Sequence, residues 1–222
     1  MDQKAAANFD PIAKPYRWME YLTFVRSLER CRNHFVPQLR QCSNALVLGD
    51  GDGRFLACLL AANPGLHACA VDTSAAMLRL LDRRATAATS DAHARLRTHH
   101  GSALTFDSHR PVDLIVTHFF LDCLTQPEMD TLALRLARSA CSPGAVWLIS
   151  DFRIPAGTMH WPARGIVGLL YLAFRLLTGL RTTELPNHAA ALTQAGFTRI
   201  AQRLSLGGLL TSELWIGKAA YR

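Results

Sequence analysis

Leu46-Val47-Leu48-Gly49-Asp50-Gly51-Asp52-Gly53-Arg54-Phe55 is the stretch whose reading decides the fold. An apolar run, Ala45 to Leu48, stops at three glycines spaced two apart, and Arg54 to Ala62 then resumes with helical spacing. That order is strand, tight turn, helix. Glycine lacks a Cβ, so the backbone can bend sharply at Gly49, Gly51 and Gly53 and approach a ligand closely, while the following helix offers unpaired N–H groups. Taken alone, the triplet is equally an ordinary glycine turn.

A second strand and helix follow directly. Ala68 to Val71 reads as a buried strand ending at Asp72, with Thr73 and Ser74 suited to cap a helix through Met77, Leu78 and Leu81. At that strand end a carboxylate can accept the hydrogens of both ribose hydroxyls. Asp72 is alternatively a helix cap, although Thr73 serves that purpose as well. The glycine turn and Asp72 together are far more specific than either alone. A dinucleotide site needs GxGxxG, and here Arg54 stands in the sixth position, which disfavours a pyrophosphate ligand.

Outward from this centre, the alternation continues. Asp10 to Phe35 has the pattern of an amphipathic helix, and Arg95 to His99 that of a third strand closing at Gly101. Val112 to Thr117 is a β-rich fourth strand running into His118-Phe119-Phe120-Leu121-Asp122, before a helix from about Pro127 to Cys141. Ser142-Pro143-Gly144 predicts a turn into a fifth strand, Ala145 to Ser150, ending at Asp151. Residues 152–185 read as an insertion with a helical core. A helix from about Asn187 to Ala195 and two strands near Phe197 to Leu204 and Leu214 to Ala219, linked through Gly207-Gly208, complete the chain. The pattern is α/β: a mostly parallel sheet with helices on both faces and an antiparallel edge.

With 222 residues, half of them apolar, the chain supports one domain with a large core. Its parts are an N-terminal helical cap (1–44), a central core (45–151), a helical lid insertion (152–186) and a C-terminal helix and strand pair (187–222). The six cysteines include no CxxC pair, and the first residues carry no apolar stretch behind a basic start, which together predict a reduced, cytoplasmic setting. The net charge of +7 is spread along the chain, so it reads as a solvated surface and argues against a nucleic-acid partner. Trp161 to Leu180 is long enough to span a membrane but contains Arg164 and Arg175. It reads instead as a lid, a dimer-forming helix or a peripheral membrane contact, in a monomer or a homodimer. His99 and His100 have no further convergent ligands in the sequence, and no metal site is expected.

Leu46 to Phe55 resembles the nucleotide-binding motif of class I S-adenosylmethionine-dependent methyltransferases, and Val71-Asp72-Thr73-Ser74-Ala75-Ala76-Met77-Leu78 is similar to the "VDxSxxML" segment of that family. The resemblance extends through Val112 to Leu124 and to Ser142-Pro143-Gly144-Ala145, and covers Ala45 to Ser150 well. Phe9 to Tyr16 is similar to the opening helix of ubiquinone and menaquinone methyltransferases.

The resemblance implies a Rossmann-like, seven-stranded sheet with one antiparallel strand, S-adenosylmethionine as cofactor, and methyl transfer to a small, apolar or aromatic acceptor. It also implies roles. The turn containing Gly49, Asp50, Gly51 and Gly53 would hold the methionine part, with Tyr16 near its carboxylate. Asp72 would hold the ribose, Thr73 and Met77 the adenine surroundings, and Ser102 and Ala103 the adenine edge. His118 and Phe119 would line the sulfonium side. The family usually has aspartate where Ser102 stands, and Arg17 replaces an aspartate that often follows the opening tyrosine. If the acceptor must lose a proton, His118 and Asp122 are the candidate bases; His118 is alternatively only a wall of the cofactor site. Two other functions fit the same motifs: a fold relative that binds the cofactor without transferring methyl, and an RNA methyltransferase. The sequence shows no NPPY-like tetrad after the fourth strand and no appended RNA-binding module, which argues against the latter.

Overall fold

The computed structural model describes residues 25–108, 110–178 and 184–218. At its centre lie β1 (Asn44–Leu48), β2 (His67–Asp72), β3 (Leu96–His100), β4 (Val112–His118), β5 (Cys141–Phe152), β6 (Phe197–Ser205) and β7 (Leu210–Gly217), in one sheet of order β3-β2-β1-β4-β5-β7-β6. The first five strands are parallel to one another, and β7 is antiparallel to both β5 and β6. The Rossmann-like, seven-stranded sheet with a single reversed strand is therefore the one that the resemblance implies.

Both sheet faces are covered. Ala45, Val47, Leu114, Val116, Leu148 and Leu214 pack with α2 (Arg54–Ala62) and α3 (Ala75–Ala88). Leu46, Leu48, Ile115, Trp147, Ile149 and Trp215 pack with α4 (Gln126–Ser139) and α6 (His188–Gln194). Alternate residues of one strand thus feed opposite cores, which is why the central strands read as continuous apolar runs. Each fully buried Leu, Ile or Phe contributes roughly 1.5–3 kcal/mol relative to exposure, so these two layers dominate the stability.

Two further helices lie near the carboxyl ends of the strands. α1 (Val25–Asn33) docks through Cys31, whose Sγ donates to the Thr211 carbonyl at 3.3 Å while its own carbonyl accepts from Ser150 Oγ at 3.3 Å. α5 (His160–Thr178) buries Ala163, Val167 and Tyr171 against Leu209. Among the described residues no helix is long and apolar enough to cross a membrane.

Several boundaries differ from the sequence expectation. α3 runs beyond Leu81 to Ala88, since alanine is the best helix former and Ala85 is fully buried. α4 ends at Ser139, not Cys141, and β5 already begins at Cys141, carrying Gly144 at φ +76° beside a register shift between Val112 and Leu114. β7 begins at Leu210, four residues earlier than its apolar run, because Thr211, Ser212 and Glu213 are buried but hydrogen-bonded. Of the helix expected over Asp10 to Phe35, Val25 to Asn33 is helical, and residues 10–24 lie outside the described residues.

Candidate active site

β1 lies between β2 and β4 in the sheet, so the chain crosses from one side of β1 to the other and leaves a crevice at the carboxyl ends of the strands. Gly49, Gly51 and Gly53 all adopt positive φ there, at 67°, 59° and 78°. A Cβ at Gly49 would lie 2.5 Å from the Phe120 ring, and one at Gly53 would lie 2.6 Å from the Leu81 backbone in α3. The same atom at Gly51 would meet nothing within 4 Å, so the middle of the turn borders open space. The turn is tied to β2 by the Gly49 N–H, which donates to the Val71 carbonyl at 3.0 Å.

Next to it, the Asp72 carboxylate accepts from Ser74 N–H through Oδ1 at 2.8 Å, and Ser74, not Asp72 or Thr73, caps α3 by accepting from Met77 N–H. Asp72 is thereby held rigidly at the strand end without serving as the cap. Thr73 offers its carbonyl to His100 Nε2 at 3.0 Å, and Gly101 N–H donates to the Asp72 carbonyl, so the end of β3 is drawn to the same rim. Met77 has its side chain in the core, at 3% exposure. Ser102 Oγ accepts from Leu104 N–H, while Ala103 packs in the core with its carbonyl bonded to Arg135. Ser102 thus borders the rim, and the Ala103 methyl turns away from it. His99 instead packs against the Phe106 ring at 4.8 Å, so the two adjacent histidines diverge.

The far end of the crevice is built by Asp50, Arg32, His118 and Phe119. Asp50 turns inward to accept from Leu56 N–H at 3.1 Å, while Asp52 turns outward to pair with Arg54 and Arg84. Burial pushes the Asp50 carboxyl up to about 7, and the Arg32 guanidinium of α1 opposes that shift. Arg32, 9% exposed, lies with its guanidinium 5.0 Å from the centre of the Phe119 ring. His118 packs edge-on against Phe55 at 4.2 Å, and among the described residues neither ring nitrogen has a hydrogen-bond partner. Burial and then the neighbouring Arg32 hold it well below the usual histidine range, so the imidazole is neutral. Phe119 has φ +51°, a strained value for an aromatic residue, and its ring lies 5.1 Å from Phe152.

Asp122 lies in the turn after β4, away from the His118 ring. Its N–H donates to Asp151 Oδ2 at 3.2 Å, its Oδ1 accepts from Cys123 Sγ at 3.5 Å, and its carbonyl accepts from the Tyr171 hydroxyl of α5 at 2.9 Å. It does not cap α4; Thr125 does, with both its N–H and its hydroxyl donating to Glu128. Both carboxylates are buried, Asp122 at 6% exposure and Asp151 at 2%. Burial raises Asp122 to about 6, and burial with the charge of Asp122 raises Asp151 well above the carboxylate range. Among the described residues the partners of His118 and Asp122 do not overlap: the first faces α2, the second Asp151 and α5.

Residues 46–147 match a family model described as a methyltransferase domain. The match covers a little under half of the chain. The glycine turn, Asp72, His118 and the strands β2, β3 and β4 all fall inside the matched span. A search of curated protein sequences finds no match. Solved structures share the fold: a candidate exported protein from Bordetella parapertussis is 21% identical, with TM-score 0.68, over 90% of this chain and 71% of that one. A protein from Nostoc punctiforme assigned provisionally to the O-methyltransferases is 19% identical, with TM-score 0.67, over 92% of this chain and 58% of that one. The N-methyltransferase NodS from Bradyrhizobium japonicum, solved with S-adenosylhomocysteine, is 16% identical, with TM-score 0.64, over 93% and 94% of the two chains.

Three residues of the crevice went unnoticed in the sequence. Arg32 and Tyr171 carry no local signal, since each reaches the site through helix docking. Asp151 had one: like Asp72, it is a carboxylate at the carboxyl end of a parallel strand. Tyr16 lies outside the described residues.

Proposed function

We propose that this protein transfers a methyl group from S-adenosylmethionine to a small apolar or aromatic molecule. The observation that carries the reading is the convergence of the Gly49–Gly53 turn and Asp72 on one rim, tied together by the Gly49 to Val71 bond. The donor set fits the cofactor. Open space over Gly51 admits a ligand against the backbone, the Asp72 carboxylate suits a vicinal diol, and the buried Arg32 and Asp50 suit the opposite charges of an amino acid.

S-adenosylmethionine supplies, when bound, a methyl group made electrophilic by its sulfonium. The residues of this chain contribute position and exclusion of water. The glycine turn lets the backbone approach, Asp72 orients the ribose, and Thr73, Met77, Ser102 and the Ala103 backbone flank the adenine. Phe119 and neutral His118 wall the reacting end. His118 stays uncharged there and so does not repel a cationic ligand. Asp122 is the group that takes a proton from the acceptor: its carboxyl titrates at about 6, close to the range in which a base is both ionised and able to accept. Asp151 keeps the pair from ionising fully, because two buried carboxylates side by side disfavour a second charge.

The acceptor class rests on α5. Its Ala163, Val167 and Tyr171 cover Leu209 together with half-buried Phe152 and Ile154, next to Asp122, so a molecule reaching that carboxyl meets apolar surface. Isothermal titration with S-adenosylmethionine and S-adenosylhomocysteine tests the cofactor. Binding lost in Asp72→Ala is expected, and absence of heat with the unaltered protein would overturn the reading. Comparing metabolites of cells with and without the protein, for pairs differing by one methyl, tests the transfer itself.

A further inference from the structure

α5 has a second face that the crevice does not use. Ala163, Val167 and Tyr171 are buried four residues apart, while Trp161, Arg164, Gly165, Gly168 and Leu169 are exposed on the opposite side. Trp161 is 76% exposed and Leu169 68%, the two largest exposures among the described bulky apolar side chains. Solvated helix faces are normally polar, so a tryptophan and a leucine two turns apart on one face require a covering surface. From Phe152 to Thr183 the chain contains no aspartate or glutamate, but it contains Arg153, Arg164, Arg175 and Arg181.

We propose that this face of α5 seats on an anionic lipid surface, lying in the interface without crossing it. Charge decides among the occupants. A second copy related by a two-fold axis would set the face against itself, bringing Arg164 near its own equivalent with no carboxylate on the segment to pair it. Lipid phosphates supply the missing anions. An exposed indole is at home at headgroup depth, and arginine can extend its guanidinium to the phosphates while its stem covers apolar surface. The same helix bonds Asp122 through Tyr171, so the seated protein would hold its acceptor end against the bilayer. The inference stands on exposure and charge alone and does not depend on the methyl-transfer reading.

The test is flotation of the full chain with phosphatidylcholine vesicles and with vesicles containing phosphatidylglycerol, alongside sedimentation velocity without lipid. Binding to the anionic vesicles only, weakened by salt, is expected. Trp161→Ala with Leu169→Ser should lower partitioning by about tenfold, and Arg164→Glu by at least about fivefold, the worth of one basic residue at such a surface. These side chains are exposed, so far-ultraviolet circular dichroism of each variant should match the parent and exclude misfolding. Three results would overturn the proposal: equal binding to both vesicles, equal binding by all variants, or a lipid-free dimer broken by the Trp161 variant. Oligonucleotide binding that falls in the same variants would overturn it too.

Discussion

Gly51 and Gly53 both adopt positive φ, yet a side chain at each would meet different surroundings. Gly53→Ala combines left-handed strain with collision on the Leu81 backbone, so a loss of about 2–5 kcal/mol in urea denaturation is expected. Gly51→Ala meets nothing within 4 Å and should cost only about 1–2 kcal/mol of stability, while weakening cofactor binding measurably in titration, because its methyl enters the crevice. A larger stability loss at Gly51 than at Gly53 would contradict this division. Asp122 makes a pH prediction. Its folded value of about 6 lies above the ordinary 3.8, so the native state binds a proton that the unfolded chain has released. Its contribution to stability is therefore greatest below the lower value and lost as pH rises between the two. Asp122→Asn should flatten the fall in stability over that window, leaving the parts due to Asp50 and Asp151. If Asp122 is the base, kcat should also rise through about pH 6 in the parent and drop by roughly 10²–10⁴-fold in Asp122→Asn.

At the scale of elements, α4 links its own cap to the segment after β3 at the crevice rim. Its N-terminus is closed by Thr125 and Glu128, and about one turn before its end Arg135 bonds the Ala103 and Phe106 carbonyls of the segment after β3. Thr125→Ala should cost about 1 kcal/mol of stability, in line with loss of a helix cap, with little change in cofactor affinity. Arg135→Ala should do more to affinity than to the helix, since it releases the segment carrying Ser102. Titration calorimetry and thermal melts on the two variants separate these outcomes. β7 illustrates another relation between elements. Glu213, at 2% exposure, accepts from Thr211, Trp215 and Gln202. Burial pushes its carboxyl up, but the bonds from His188 and these neighbours prevail and hold it at about 2, so this strand loses stability only as pH falls below the ordinary carboxylate range.

For the molecule as a whole, a ligand held by both the β1–β2 rim and Arg32 of α1 couples the helical cap to the sheet. Binding to the native state alone stabilises by about 2.7 kcal/mol at a hundredfold excess over Kd, which for a domain of this size raises Tm by roughly 5–10 °C. Differential scanning fluorimetry with S-adenosylhomocysteine checks this. Arg32→Ala should reduce the shift, whereas Arg84→Ala, which removes an ion pair on the outer side of the turn, should not.

The alternation of apolar runs, the three glycines and Asp72 were legible because they are local. Period and turn chemistry act over a few residues, and a doubly covered parallel sheet demands unbroken apolar strands. That much of the fold, and the rim formed by the glycine turn and Asp72, belonged to the sequence itself. Tertiary structure alone decided that the charge of Arg32 acts on Asp50 and its guanidinium lies over Phe119, that Asp151 joins Asp122 beneath Tyr171, and that His118 turns toward Phe55 instead. These contacts join segments tens of residues apart, and the angle at which a helix docks, not any local pattern, sets which of its side chains arrives. Buried Thr211, Ser212 and Glu213 escaped for a related reason: a polar residue reads as exposed until the partners that satisfy it are brought alongside.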